Sequence, residues 1–192
     1  MIAIEDQDFK QFSDYIRIHY GIHFKSEKKT LVEGRLGPLM LSMNITSLQE
    51  YMKYVNSDRT GQAASIMLDR ITTNHTYFLR EPVHFQYFRE AVLPYLAKTV
   101  RDRDLRIWSA ACSSGEEPYT LAMIIDEFFG PGKKEWDTKI LATDISQGVL
   151  DLARAGIYSK DKMSDVPEEW LRRYFTRNDG GQYLLSEHIK KK

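Results

Sequence analysis

A single cysteine, Cys112, is all the thiol chemistry in these 192 residues. One cysteine forms no internal disulfide and excludes a multi-thiolate zinc site. Long apolar runs are also missing, and nothing approaches the roughly 20 residues a helix needs to span a bilayer. The amino terminus, Met1-Ile-Ala-Ile-Glu-Asp6, lacks both the positive and the apolar segments of a secretion signal. A reducing, cytoplasmic location is therefore expected. Net charge is absent too: Lys+Arg and Asp+Glu both total 27, and residues 1–98 hold 12 basic and 11 acidic side chains. No half hides a basic field, which disfavours nucleic acid and membrane surfaces as partners. What is present is 42% hydrophobic and 28% charged residues, the mix of a folded domain. The length suits one ordinary domain or two small ones.

Residues 6–97 predict a series of helices. Phe9, Phe12, Ile16 and Tyr20 recur at three to four residues, with Gly21 as a stop. Residues 26–43 place Leu31, Val32, Leu36, Leu39 and Met40 on one side, with Gly34, Gly37 and Pro38 expected to weaken or kink the helix. Its basic residues are only Lys28, Lys29 and Arg35. Ser47-Leu-Gln-Glu50 is a capping box opening a third helix through Val55. A fourth is expected over 62–72, and Glu81-Pro82 opens a fifth that presents Phe85, Phe88 and Val92.

The pattern then changes. Residues 105–111 predict a strand, and Glu117-Pro118 opens a helix stopped by Gly130. Residues 139–144 predict a second strand, followed by a helix over 146–155 with Gly156 as its stop. Strand, helix, strand, helix at this spacing signals a parallel α/β sheet. The charged run Arg101-Asp-Arg-Asp104 marks the expected linker, giving a helical domain over 1–98 and an α/β domain over 99–192. Residues 183–186 are a candidate third strand. Two or three strands are few for a parallel sheet covered on both faces. The chain is thus expected to be part of a longer protein and to self-associate through its sheet region or leave part of 100–192 loosely ordered.

Three segments carry chemistry. Trp108-Ser-Ala-Ala-Cys-Ser-Ser-Gly-Glu-Glu-Pro118 joins strand to helix, where doubly wound folds seat their cofactors. Its small residues leave room for a ligand against the backbone. Glu116 and Glu117 either complement the helix dipole or meet a ligand with a cationic amine. A pyrophosphate would want that helix end without acids beside it. Asp144, ending the second strand, either accepts from ribose hydroxyls or caps a turn. A nicotinamide dinucleotide is disfavoured because the loop lacks G-x-G-x-x-G, so a dehydrogenase is a distant reading. The third segment, residues 71–81, is a polar string that makes either a capped loop or a set of directed hydrogen bonds, with Arg80 able to clamp a carboxylate.

Together, Thr72-Thr-Asn-His-Thr-Tyr-Phe-Leu-Arg-Glu81, Trp108-Ser-Ala-Ala-Cys-Ser-Ser-Gly-Glu-Glu-Pro-Tyr-Thr120, Ala142-Thr-Asp-Ile145 and Ala153-Arg-Ala-Gly-Ile-Tyr158 resemble the chemotaxis receptor methyltransferases, the CheR family. The resemblance runs from about Phe9 to Phe175 with motif order kept. It implies a small helical domain followed by an incomplete Rossmann-like methyltransferase domain. It also implies S-adenosyl-L-methionine as cofactor, S-adenosyl-L-homocysteine as product, and glutamate side chains of methyl-accepting chemotaxis receptors as acceptors. By the resemblance Asn74, Thr76, Arg80, Glu117 and Asp144 bind the cofactor, and Arg80 also lies beside the transferring methyl as the catalytic residue. Glu117 is preferred to Glu116 from its place in the family's Gly-Glu-Glu-Pro motif. The family's Asn-Val-x-x-Tyr segment is not present in these residues, so this form is expected not to be active.

The chemistry suits a sparse site, since a glutamate is already ionised near neutral pH and a sulfonium is already an activated leaving group. No general base is required, and no metal is expected. Positioning and a dry pocket carry the rate. Cys112 is expected to act as a small apolar residue and His75 as a local hydrogen-bonding group. The alternative is a non-catalytic interaction module that retains adenosyl-ligand binding at most.

Overall fold

The computed structural model describes residues 2–130 and 135–191. The chain divides into two compact units, Met1–Thr73 and Asn74–Lys192.

The first unit is helical. Helix α1 spans Asp6–Tyr20, with Asp6 and Asp8 in its first turn and Gly21 closing it in the left-handed region (φ 72°). A short 3-10 turn, Ser26–Lys28, leads into α2, Lys29–Ser42. That helix runs through Pro38 without interruption, although the residue was expected to weaken it. α3 spans Leu48–Ser57 behind Ser47, whose hydroxyl accepts from the Glu50 amide at 3.2 Å. α4, Gln62–Ile71, completes the unit. Phe12, Ile16, Val32, Leu36, Met40, Tyr51 and Met67 form its buried core.

The few basic residues of α2 are used inside this unit. Lys29 pairs with Asp6 at 2.6 Å. The Arg35 guanidinium donates to the carbonyls of Ile71 and Thr72, both at 2.8 Å, and to the Thr73 hydroxyl at 2.9 Å. Arg35 therefore caps the end of α4, where carbonyls lack helical partners.

The second unit begins with the irregular residues 74–81 and enters a continuous helical run. This comprises α5 (Pro82–Tyr87), a π turn (Phe88–Val92) and α6 (Leu93–Thr99). Pro94 supplies no N–H and crowds the carbonyl four residues back, and the widened turn just before it absorbs that misfit. Strand β1, Ile107–Ala110, leads to α7, Glu116–Phe129; β2, Ile140–Thr143, leads to α8, Gln147–Ala155. β1 and β2 pair in parallel with Ile107 opposite Ile140 and Ala110 opposite Thr143. A bridge between Asp104 and Asp137 extends the pairing. Trp108 and Leu141, opposite each other, are 66% and 62% exposed.

After β3 (Ile157–Tyr158) come α9 (Glu168–Tyr174), β4 (Phe175–Arg177), β5 (Tyr183–Leu185) and α10 (Glu187–Lys190). The three strands form a separate antiparallel sheet in the order β3-β5-β4. The candidate third strand thus leaves the parallel sheet: its partners are two short strands the sequence does not announce.

The expected boundary at 98/99 moves to 73/74. Phe78, Phe85 and Leu93 are buried in one cluster with Met123, Ile124, Trp170 and Tyr174, so residues 74–98 belong to the α/β core. Arg101-Asp-Arg-Asp104 is accordingly a turn inside the second unit rather than a linker.

Candidate active site

The site is built at the carboxyl ends of β1 and β2, all within the second unit. Between β1 and α7 the chain turns through three residues of positive φ: Ala111 (61°), Ser113 (50°) and Gly115 (94°). For Ala111 and Ser113 that conformation costs about 1–2 kcal/mol each, and such strain concentrates at functional loops. A Cβ on Gly115 would stand 2.8 Å from Tyr119 Cε2 and 3.0 Å from Ala153 Cβ, so only glycine fits there.

Asp144 braces this loop. Its Oδ2 accepts the Ser113 amide at 2.8 Å, and its Oδ1 accepts the Ser146 amide at 2.9 Å. The carboxylate is half-buried, and each oxygen keeps further acceptor capacity. The two sequence alternatives thus meet in one side chain, which caps a turn and retains lone pairs for a ligand.

Glu116 and Glu117 separate sharply. Glu116 is fully buried; it accepts Lys162 Nζ at 2.8 Å and the Ser114 hydroxyl at 2.7 and 2.9 Å. Glu117 is exposed and accepts the hydroxyl of buried Ser109 at 2.7 Å. Of the two acids, Glu117 faces solvent.

Residues 74–81 border the same loop. The Asn74 carbonyl accepts the Ser113 hydroxyl at 3.0 Å, and its amide Nδ2 donates to Ser146 Oγ at 3.4 Å. The Thr76 carbonyl accepts Lys162 Nζ at 3.0 Å. Phe78 is buried edge-on against Tyr158 and Phe175. Arg80 is exposed between Leu79 and Glu81, both of positive φ, and its described hydrogen bond stays within its segment, to the His75 carbonyl at 3.0 Å. Shared serines bring Asn74 and Asp144 together, while Lys162 links Thr76 to the start of α7; among the described contacts Arg80 reaches neither Glu117 nor Asp144. From sequence alone Ser109 and Ser113 register only as small residues, and nothing singles out Ser146 or Lys162. The serine of a Ser109-to-Glu117 pair is detectable only once strand and helix are placed side by side.

Cys112 is buried, and its thiol is pushed up first by that burial and then by Asp144, with Glu117 and Glu116 adding to the effect. The charge of Glu116 is compensated by Lys162, which leaves Glu117 and Asp144 as the uncompensated acids of the loop. Two such acids suit a cationic ligand and oppose a phosphate. S-adenosylmethionine presents an ammonium, a sulfonium and a ribose diol. Exposed Glu117 and the remaining acceptor capacity of Asp144 match those groups. Among the described residues no cluster of side chains could hold a metal ion, and no helix is long and apolar enough to cross a membrane.

Comparison with known proteins identifies the two units. The family "CheR methyltransferase, all-alpha domain" matches residues 7–72, and "CheR methyltransferase, SAM binding domain" matches residues 74–192. Their junction falls where the structure divides. A chemotaxis protein methyltransferase of Borreliella burgdorferi is 36% identical over 99% of this chain and 68% of its own length. Chemotaxis protein methyltransferase 1 of Pseudomonas aeruginosa is 37% identical over 98% of this chain and 70% of its own. The Escherichia coli chemotaxis protein methyltransferase is 34% identical over 93% and 60%. An all-helical unit followed by an α/β unit, the two family matches and this coverage lead to one conclusion: the chain belongs to the CheR methyltransferase family, with S-adenosylmethionine as its cofactor.

Proposed function

We propose that this protein transfers methyl groups to glutamate side chains of chemoreceptors in the cytoplasm, with Glu117 and Asp144 holding the cofactor's ammonium and ribose. The observation that carries the reading is the split between two adjacent acids. Glu116 is spent on Lys162, while Glu117 stays at the surface beside a loop braced by Asp144. The relatives named as chemotaxis protein methyltransferases supply the chemotactic context.

When bound, the cofactor supplies the activated methyl. The protein's own task is to hold the acceptor carboxylate and keep water away. Asn74 borders the loop between β1 and α7 through its carbonyl and side-chain amide, and Thr76 through its carbonyl. Arg80, set between two residues of positive φ and held by one carbonyl, is free at its remaining donors to orient a carboxylate.

Arg80→Ala tests the assignment. Its hydrogen bond is exposed, so stability should change by under about 1 kcal/mol. Misplaced reactants cost on the order of a hundredfold in rate. Transfer of labelled methyl groups to receptor cytoplasmic fragments would be followed alongside thermal unfolding. A near-wild-type rate in the variant would remove Arg80 from the reaction. Cofactor binding without any transfer by a form that also carries the Asn-Val-x-x-Tyr segment would instead favour a non-catalytic binding module.

A further inference from the structure

Beneath the acids of α7 lies a cation that cofactor binding does not itself demand. Lys162 sits on the short turn Lys160–Met163, with its side chain 35% exposed. Its ammonium donates to Glu116 Oε1 at 2.8 Å and to the Thr76 carbonyl at 3.0 Å. The Ser114 hydroxyl closes on the same carboxylate, and the Tyr158 hydroxyl donates to the Ser114 carbonyl at 2.8 Å. One ammonium thus joins residues 74–80, the start of α7 and the turn after β3.

A buried ion pair is weak evidence for stability, because desolvation offsets most of the attraction. An apolar pair of similar volume could fill the same space. What such a pair could not do is donate to the Thr76 carbonyl, which belongs to an irregular stretch with no helix or sheet ladder to fix it. Besides Phe78 and Leu79, which pack into the core, the described hydrogen bonds that hold residues 74–80 run through Asn74, Thr76 and Arg80.

We infer that Lys162 is a positioning residue. Anchored on Glu116, its ammonium latches the Thr76 carbonyl, and with it Asn74 and Arg80, against the loop between β1 and α7. The inference rests on the cofactor reading above, and it makes the buried acid of the pair an anchor rather than a ligand. Lys162 touches neither the carboxylate of Glu117 nor that of Asp144 in any described contact; it acts through the segment it holds.

Three variants of the 192-residue chain test this: Lys162→Met, Lys162→Arg, and the double variant Glu116→Gln with Lys162→Met. Hydrogen exchange is measured on the amides of residues 74–80 without cofactor, and S-adenosylhomocysteine is then titrated by calorimetry. Lys162→Met should speed exchange in this segment at least about tenfold and weaken binding about ten- to a hundredfold, the scale of one hydrogen bond to a charged group. Lys162→Arg, which keeps the charge and both donations, should restore most of each. The double variant removes the unpaired buried charge, so its unfolding midpoint should recover while its affinity stays low. Unchanged exchange in Lys162→Met, or regained affinity in the double variant, would overturn the latch. Exchange needs no ligand, so a wild-type chain that fails to bind S-adenosylhomocysteine would count against the cofactor reading while exchange still decides the latch.

Discussion

Asp144→Asn separates two jobs done by one carboxylate. The native side chain accepts the Ser113 amide at 2.8 Å and the Ser146 amide at 2.9 Å. Asparagine keeps one acceptor oxygen and turns a donor toward the other amide. Losing one hydrogen bond to a charged acceptor costs about 1.5–3 kcal/mol. For a chain of this size each kcal/mol moves the midpoint by about 2–4 °C, so the ligand-free transition should fall by about 3–12 °C. Trp108, Trp136 and Trp170, the three tryptophans of the chain, all lie in the second unit, so tryptophan fluorescence reports its unfolding alone.

The second job appears on adding S-adenosylhomocysteine. At roughly a hundred times the wild-type Kd, linkage stabilises the folded protein by about 2.7 kcal/mol. If Asp144 also binds the ribose, affinity drops about ten- to a hundredfold. At the same concentration the stabilisation then shrinks to about 1.4–0.4 kcal/mol, between about a half and a seventh of the wild-type increment. The ratio is independent of the conversion from energy to temperature. A lowered ligand-free midpoint with an undiminished increment would make Asp144 a brace only. No change in either would refute the structural role as well.

Gly115→Ala should cost about 2–5 kcal/mol in urea unfolding read by tryptophan, from its positive φ and from crowding against Tyr119; a loss below about 1 kcal/mol would show that the loop is not confined. Burial pushes Tyr51 up to about 12 from 10, so between these pH values the unfolded chain has lost a proton the folded one keeps. Stability of the helical unit is therefore full below pH 10 and declines as pH rises toward 12, and Tyr51→Phe should flatten that decline in circular dichroism; equal declines would clear Tyr51 of responsibility. The exposed pair Trp108 and Leu141 is expected to support self-association, which Leu141→Lys should reduce in sedimentation velocity, with identical sedimentation of both proteins counting against that face.

Features set by local preference were legible from residues alone. Ser47 caps α3, Pro82 opens α5, and Gly21, Gly130 and Gly156 stop their helices at the expected places. The β1–β2 pair also follows from its apolar runs and the helix between them. Features set by packing were not legible. A charged run at 101–104 looks like a linker, yet the division at 73/74 depends on where Phe78, Phe85 and Leu93 are buried. β3 has two residues and β4 and β5 three each, too short for alternation to register.

The two acids of α7 show the same limit at the site. Neighbouring residues on a helix point about 100° apart, so Glu116 and Glu117 cannot both face the ligand, yet composition and the helix dipole treat them alike. Family motif position favoured Glu117. What separates them physically is a lysine 46 residues later in the chain, which makes burial of Glu116 tolerable. With that charge compensated, its neighbour is left at the surface on a helix turn whose direction is fixed from below. The exposed carboxylate is held by the Ser109 hydroxyl at 2.7 Å, on a helix start whose buried acid is tied to Lys162. A substitution that frees Glu116 from Lys162 should therefore weaken binding of S-adenosylhomocysteine in calorimetry without touching Glu117.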